Sequence, residues 1–174
     1  AWEHQALIKA RPILGDVRVA KRFDDIRRQV IAMQRDASEL GQAVSEMRQK
    51  MRRARAVEAA NLKKPGRNNQ FDVKHDPGGI IDIEFLIQYL ILASGASHPM
   101  LNHWTDVVRQ LNALALCGII DDLEAHALKQ AYLIYRYFVH RMNLQEKKAV
   151  FPETRFRELR RRVKRSWERH LGAI

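Results

Sequence analysis

The stretch "DPGGIIDIEFLIQYLILA", from Asp76 to Ala93, decides the fold of this chain. Proline removes a backbone donor and the glycine pair frees the backbone, so "DPGG" is typical of a turn. From Ile80 onward, apolar residues cover most of the helix circumference, as in a helix that packs on several sides. The sequence therefore predicts a turn at Gly78 or Gly79, followed at once by a central helix.

Two carboxylates at the start of this helix, Asp82 and Glu84, raise the question of a metal site. Residues two apart share a face only on a strand, whereas on a helix their side chains point roughly 200° apart. In the first helical turns, by contrast, the helix dipole favours a negative charge. We therefore expect these carboxylates to hold no metal, and one of them to pair with a cation such as Lys74 or Arg136.

Helical spacing of apolar residues recurs along most of the chain. Asp121, with Glu124 three residues later, predicts the start of a long helix that runs to about Lys147. "FDVK", residues 71–74, alternates like a short strand. We predict an all-α fold, a bundle of about six helices with at most one short strand element near 71–74. Two amphipathic helices are marked by the stripes Phe23, Ile26, Val30 and Met33, and Leu40, Val44, Met47 and Met51.

The 174 residues are enough for one domain with its own core. The polar stretch "NLKKPGRNNQ" breaks the helical period at a proline and a glycine and predicts an exposed loop. We therefore expect a single helical domain over 1–174, in which the loop 61–70 divides 1–60 from 71–174. Because the first residues enter a helical pattern without an initiator methionine or a cap, we also expect that the sequence is a piece of a longer chain.

Composition excludes several classes of protein. With 46% apolar and 29% charged residues, the chain is an ordinary folded protein rather than a disordered one. No apolar run is long enough to cross a bilayer, so a cytoplasmic location is expected, without a membrane partner. Cys117 is the only cysteine, which excludes an internal disulfide and predicts a buried, inert thiol.

The net charge of +11 is unevenly distributed along the sequence. Basic residues dominate 1–70 and 141–174, whereas acidic residues outnumber them in 71–140. Basic helices around a more acidic core would face phosphates, an acidic partner or solvent. Nucleic-acid binding is not expected, because the basic runs "RRARA" and "RRVKR" come without any recognisable reading motif.

The sequence contains no complete catalytic motif. A polymerase-type nucleotidyltransferase needs a Gly-Ser turn, an Asp-x-Asp pair about ten residues later and a third carboxylate, which together hold two metal ions. Here only Ile80 and Ile81 separate Gly79 from Asp82. The stretch can still support a site built elsewhere, since Lys74 can reach a phosphate and glycine amides can receive an anion.

These residues carry a family resemblance. "FDVKHDPGGIIDIEFLIQYLIL" resembles the signature of glutamine synthetase adenylyltransferases, also called glutamate-ammonia-ligase adenylyltransferases. "AWEHQALIKAR" looks like the helix that follows the catalytic strands of that family, "YLIYRYFVHRMNLQ" like a later helix, and "SWERHL" like its carboxyl end. The resemblance covers nearly the whole chain.

The resemblance implies a multifunctional enzyme of nitrogen metabolism with two related halves, one removing AMP from glutamine synthetase and one attaching it. The Asp-Ile-Glu form at 82–84 is more similar to the adenylylating half, which transfers AMP from ATP to a tyrosine with Mg²⁺. That family's catalytic aspartates lie upstream, so no catalytic residue, bound metal or activity is expected in this fragment. The implied supporting residues are Glu3, Arg11, Lys74, Gly78 and Gly79 for the nucleotide, with Asp82, Glu84 and Arg136 for electrostatics.

The implied partners are glutamine synthetase, the PII signal protein and the upstream nucleotidyltransferase core. A second interpretation follows from these partners and from the basic ends of the chain. In it, the domain is a regulatory binding module that docks PII or glutamine synthetase.

Overall fold

A computed structural model describes residues 2–61 and 69–173. Helices dominate these ranges, which confirms the all-α prediction. The α-helices are α1 (Trp2–Lys9), α2 (Val17–Ile31), α3 (Ala37–Asn61), α4 (Ile80–Ser94), α5 (Val107–Leu116), α6 (Asp122–Asn143) and α7 (Arg157–Leu171), with short 3-10 helices at Pro99–Asn102 and Glu153–Phe156.

Two short strands form the sheet of the described residues. β1 (Gln70–Asp72) pairs antiparallel with β2 (Val150–Pro152), and Phe71 lies opposite Phe151. β1 is the strand element expected near 71–74. β2 was not predicted, because three residues are too few to display the period of a strand.

Aspartates begin several helices by accepting a free backbone amide. The Asp121 carboxylate accepts a 2.7 Å hydrogen bond from the Glu124 amide, which confirms the predicted start of α6. Asp16 and Asp106 cap α2 and α5 in the same way. α6 ends at Asn143, a few residues before the predicted end at Lys147.

The first of two compact units comprises Ala1–Val44 and Phe85–Ala125. In its helix α2 the predicted apolar stripe is partly wrong, since Ile26 and Met33 are 44% and 51% exposed. Arg27 and Ile31 are buried instead. The Arg27 guanidinium explains this orientation, because it donates to four backbone carbonyls of neighbouring segments and so compensates its own burial. These carbonyls belong to Leu7, Ile8, Asn102 and Trp104.

The second unit comprises Ser45–Glu84 and His126–Ile174. Its core contains a cluster of aromatic rings that meet edge to face at centroid distances of 5.2–6.4 Å. Such pairs add to the stabilisation that burial provides. The cluster joins the two strands to α6 and the start of α7, and its rings are Phe71, Tyr135, Phe138, Phe151 and Phe156.

Other expectations have mixed outcomes. Cys117 ends α5 and is half-buried rather than buried. The predicted loop 61–70 lies mostly outside the described residues, which resume at Asn69, and the single-domain prediction stays a prediction. Among the described helices, none combines the length and the apolar character that a membrane span requires.

Candidate functional site

The residues before α4 and its first turn form an ordered turn in the second unit, which we call the aspartate turn (Asp72–Asp82). Gly78 has a φ of +83°, and α4 begins at Ile80, so both the glycine turn and the early helical position of Asp82 are confirmed. A side chain at Gly78 would collide with α7, since a Cβ there would lie 2.7 Å from Arg160 Cγ. Glycine is therefore required at this position both by conformation and by space.

Asp82 is fully buried, and both of its carboxylate oxygens are occupied. Oδ1 accepts from Arg48 Nε at 2.6 Å and from Arg52 Nη2 at 3.0 Å. Oδ2 accepts from the Gly78 amide at 2.6 Å and from Arg52 Nη2 at 3.1 Å. These bonds compensate the desolvation of a buried carboxylate.

The expected pairing of one carboxylate with a cation is confirmed for Asp82, but the partners named as examples, Lys74 and Arg136, are wrong. Lys74 is exposed at the turn, and Arg136 is exposed on α6 with its guanidinium 5.9 Å from the centre of the Tyr132 ring. Arginines of α3 take the role instead. A guanidinium provides several fixed donors and so satisfies a buried carboxylate more fully than an ammonium group.

Asp72 holds the opposite end of the turn. Its Oδ1 accepts from the Lys74 amide at 3.0 Å and the His75 amide at 3.2 Å, and its Oδ2 accepts from Arg55 Nη2 at 2.8 Å. Burial alone would raise the pKa of Asp72, but these hydrogen bonds and the charges of His75 and Arg55 lower it below its ordinary value. Asp72 is consequently an ionised, fixed carboxylate.

The three arginines that hold these carboxylates form what we call the α3 arginine row: Arg48, Arg52 and Arg55. Burial lowers the pKa of Arg48, while Asp82 opposes that effect. Arg48 also donates to the His75 carbonyl at 2.6 Å. The row was not predicted from the sequence, although its spacing of four and three residues places all three side chains on one helix face.

α7 contacts the turn from another direction. Arg160 Nε donates to the Pro77 carbonyl at 2.8 Å, and its guanidinium lies 4.7 Å from the centre of the Phe71 ring. Beside Arg160 is a groove of about 460 Å³, which we call the α7 groove. It is lined by Glu153, Arg157, Arg160, Arg161, Lys164, Arg165 and Glu168.

The structure brings some of the predicted site residues together and leaves others apart. Lys74, Gly78, Gly79 and Asp82 share the aspartate turn. The two glycine amides already donate within it, that of Gly78 to Asp82 and that of Gly79 to the Asp76 carbonyl at 2.9 Å. An anion would have to displace these partners, whereas the exposed Lys74 side chain makes no ion pair within residues 2–61 and 69–173.

The remaining predicted residues lie elsewhere. Glu84 is half-buried on α4. Glu3, in the first turn of α1, and Arg11, just beyond α1, are exposed residues of the first unit.

This arrangement suits anion binding better than proton or metal chemistry. Asp82 is saturated by donors and Asp72 is held by amides and an arginine, so neither is free to act as a general base. The carboxylates do not fit Mg²⁺ for the same reason, and the described ranges bring together no three His, Cys, Asp or Glu side chains that would hold a metal ion. Among the described residues, cations that make no ion pair remain on Lys74 and in the α7 groove.

Comparisons with known proteins agree with the resemblance drawn from the sequence. Residues 45–150 match the family model described as GlnD PII-uridylyltransferase. The chain is also 42% identical, over 168 residues, to a bifunctional glutamine synthetase adenylyltransferase/adenylyl-removing enzyme of Thioalkalivibrio sulfidiphilus (strain HL-EbGR7). That alignment covers 97% of this chain and 16% of the relative. The resemblance to glutamine synthetase adenylyltransferases is thereby confirmed.

Proposed function

Since the chain belongs to the family described as GlnD PII-uridylyltransferase, we propose that it is a helical domain of a glutamine synthetase adenylyltransferase. The similarity to such an enzyme along 97% of the chain supports this proposal. Because the chain spans only 16% of that relative, the remaining parts of the activity belong to a longer polypeptide. Within it, we assign the chain to the carboxyl-terminal part of the adenylylating half.

The proposed reaction of the longer enzyme is the transfer of AMP from ATP to a tyrosine of glutamine synthetase in the cytoplasm. The tyrosine hydroxyl oxygen attacks the α-phosphorus, pyrophosphate leaves on the opposite side, and the hydroxyl proton is released. Mg²⁺, held by carboxylates of the nucleotidyltransferase core, would supply charge neutralisation. The present domain forms a wall of the nucleotide cleft and contributes cations to the phosphates.

One structural observation supports this division of roles. The buried carboxylate of the aspartate turn, Asp82, accepts hydrogen bonds from Arg48 and Arg52, while the side chain of Lys74 in the same turn is exposed. The turn therefore offers the charge of Lys74 outward, while the carboxylates of Asp72 and Asp82 are held by arginines. In the longer enzyme, Glu3 and Arg11 would lie on the side of the nucleotidyltransferase core, in the same supporting role.

An AMP-transfer assay tests this proposal. The 174-residue chain is incubated with glutamine synthetase, Mg²⁺ and ATP labelled on its α-phosphate. We expect no labelled tyrosine from this chain alone, and labelled tyrosine when the longer polypeptide replaces it. Transfer by the chain alone would contradict the assignment of catalysis to residues outside it.

A second candidate function is docking of the PII signal protein or glutamine synthetase. It is favoured by the α7 groove, in which cations outnumber carboxylates. An acidic protein surface would be attracted to such a groove at low salt. Isothermal titration of each partner into the chain should release heat that declines with added salt, and silence from both partners at high concentration would exclude docking.

A further inference from the structure

The α7 groove presents more charge than its own ion pairs neutralise. Five of its lining side chains are cationic and two are acidic. Arg160 pairs with Glu153, and Arg161 pairs with Glu158. Within the described residues, Arg157, Lys164 and Arg165 make no ion pair.

The three unpaired cations lie along one line of the helix. Lys164 and Arg165 follow Arg157 by seven and eight residues, which is two helical turns, so all three project to the same side of α7. At 1.5 Å per residue they extend over about 12 Å of the helix axis. A single phosphate is too small to reach all three, whereas an extended peptide covers that length with about four residues.

The chemistry of the lining favours carboxylates over a nucleic acid. The lining includes no aromatic side chain on which an unpaired base could stack. Arginine forks can hold the carboxylates of a peptide with two parallel hydrogen bonds, and this contact needs no stacking surface.

We propose that the α7 groove binds an acidic, extended segment of a protein partner through Arg157, Lys164 and Arg165. This inference rests on the docking function above and gives it a surface. The aspartate turn supports that surface, because Arg160 holds the Pro77 carbonyl at 2.8 Å and Lys164 Cγ would lie 3.0 Å from a Cβ at Gly78. The groove is thus held against an ordered turn.

Fluorescence anisotropy with a labelled peptide tests the proposal. The probe contains about four consecutive glutamates, to match the length of the cationic line. A peptide with glutamines in their place and an oligothymidine of equal charge serve as comparison probes. The intact chain is compared with the triple variant Arg157→Gln, Lys164→Gln, Arg165→Gln, which keeps the aliphatic stems. The control variant, Lys21→Gln, Arg22→Gln, Arg28→Gln, removes the same residue types from exposed positions of α2.

We expect the glutamate peptide to bind and the glutamine peptide not to bind. Loss of three exposed charge pairs should weaken binding about tenfold in the groove variant. The α2 control should change it less than about twofold. If melting shows that the groove variant is misfolded, Arg165→Gln alone is used, with an expected weakening of about threefold.

Three results would overturn the proposal: no binding of the glutamate peptide, equal weakening in the groove and α2 variants, or tighter, groove-dependent binding of oligothymidine. A different result would contradict the proposed docking function without contradicting the groove assignment. If the peptide binds in the groove while titrations with glutamine synthetase and PII stay silent, the groove assignment stands and those partners are excluded.

Discussion

At the scale of single residues, Asp82 is the most demanding group in the aspartate turn. Its carboxylate is fully buried, and Arg48, its closest cationic partner, is only 3% exposed. The free energy of this pair depends on keeping both members, because removal of one leaves the other buried and uncompensated. The Asp82 carboxylate therefore contributes mainly to the stability of the fold. It affects function only indirectly, because it maintains the shape of the aspartate turn.

We predict that Asp82→Asn lowers the free energy of unfolding by about 3 to 5 kcal/mol. Asp122→Asn is the matched control, since Asp122 is also an acidic residue in a first helical turn but is exposed. Its loss should cost less than about 1 kcal/mol. Urea unfolding followed by circular dichroism measures both, and similar costs for the two variants would contradict the role given to Asp82.

Asp72 makes the stability of the turn dependent on pH. Because its pKa is lower in the folded chain than its ordinary value of 3.8, the unfolded chain binds the proton more readily. The stabilisation that ionised Asp72 provides is thus present above pH 3.8. It is lost as the pH falls from 3.8 toward the lowered pKa of the folded chain.

The difference in unfolding free energy between the intact chain and Asp72→Asn should therefore be constant well above pH 3.8 and shrink as the pH falls below 3.8 toward the lowered pKa. Urea unfolding at several pH values measures it. Asp122→Asn, measured in parallel, corrects for the general loss of stability in acid. If the difference in unfolding free energy stays constant below pH 3.8, the surroundings of Asp72 do not lower its pKa in the folded chain.

At the scale of elements, the junction between the aspartate turn and α4 depends on a glycine. Gly78 and Gly118 both have positive φ angles, +83° and +69°. A Cβ at Gly78 would meet α7, whereas one at Gly118 would meet nothing within 4 Å. Alanine substitutions at these two glycines therefore distinguish the free-energy cost of a positive φ angle from the additional cost of a steric clash.

We expect Gly118→Ala to cost about 1 kcal/mol, the conformational term alone. Gly78→Ala should cost about 2 kcal/mol more, because the Arg160 backbone carbonyl, 2.8 Å from the new Cβ, cannot move aside easily. Thermal unfolding of the two variants tests this difference. Equal costs would mean that α7 does not pack against the turn as described.

Local signals in the sequence predicted the helices well. The glycine turn before α4, the Asp121 cap and the apolar pattern after Ile80 each depend on residues a few positions apart, and each was confirmed. The misses involve residues distant in sequence. β2 forms only with its partner strand, and Arg27 is buried because carbonyls from other segments surround it.

The candidate site shows the same division. Sequence identified the turn and its carboxylate, but not the partners of Asp82, which lie 34 and 30 residues earlier on α3. From sequence alone, a basic run such as "MRRAR" is interpreted as a solvent-exposed helix face. In the folded chain, arginines of this run instead contact buried carboxylates. Only tertiary packing distinguishes the two cases.

At the scale of the whole molecule, the chain combines neutralised carboxylates with outward cations. The net charge of +11 includes Lys74 and the groove residues Arg157, Lys164 and Arg165, which make no ion pair within the described part of the chain, while Asp72 and Asp82 of the aspartate turn are held by arginines. A domain of this kind can hold anions without metal or proton chemistry of its own. Our central claim is that it supports a nucleotide site whose catalytic carboxylates lie outside it.

The kinetics of AMP transfer by the longer polypeptide carrying Lys74→Ala tests this claim most directly, with the exposed Lys147→Ala as the matched control. If Lys74 contacts the phosphates of ATP, its loss removes a charge-assisted hydrogen bond, and kcat/KM for ATP should fall about tenfold. The control should retain the original value. An unchanged kcat/KM in Lys74→Ala, or an equal fall in Lys147→Ala, would contradict the account.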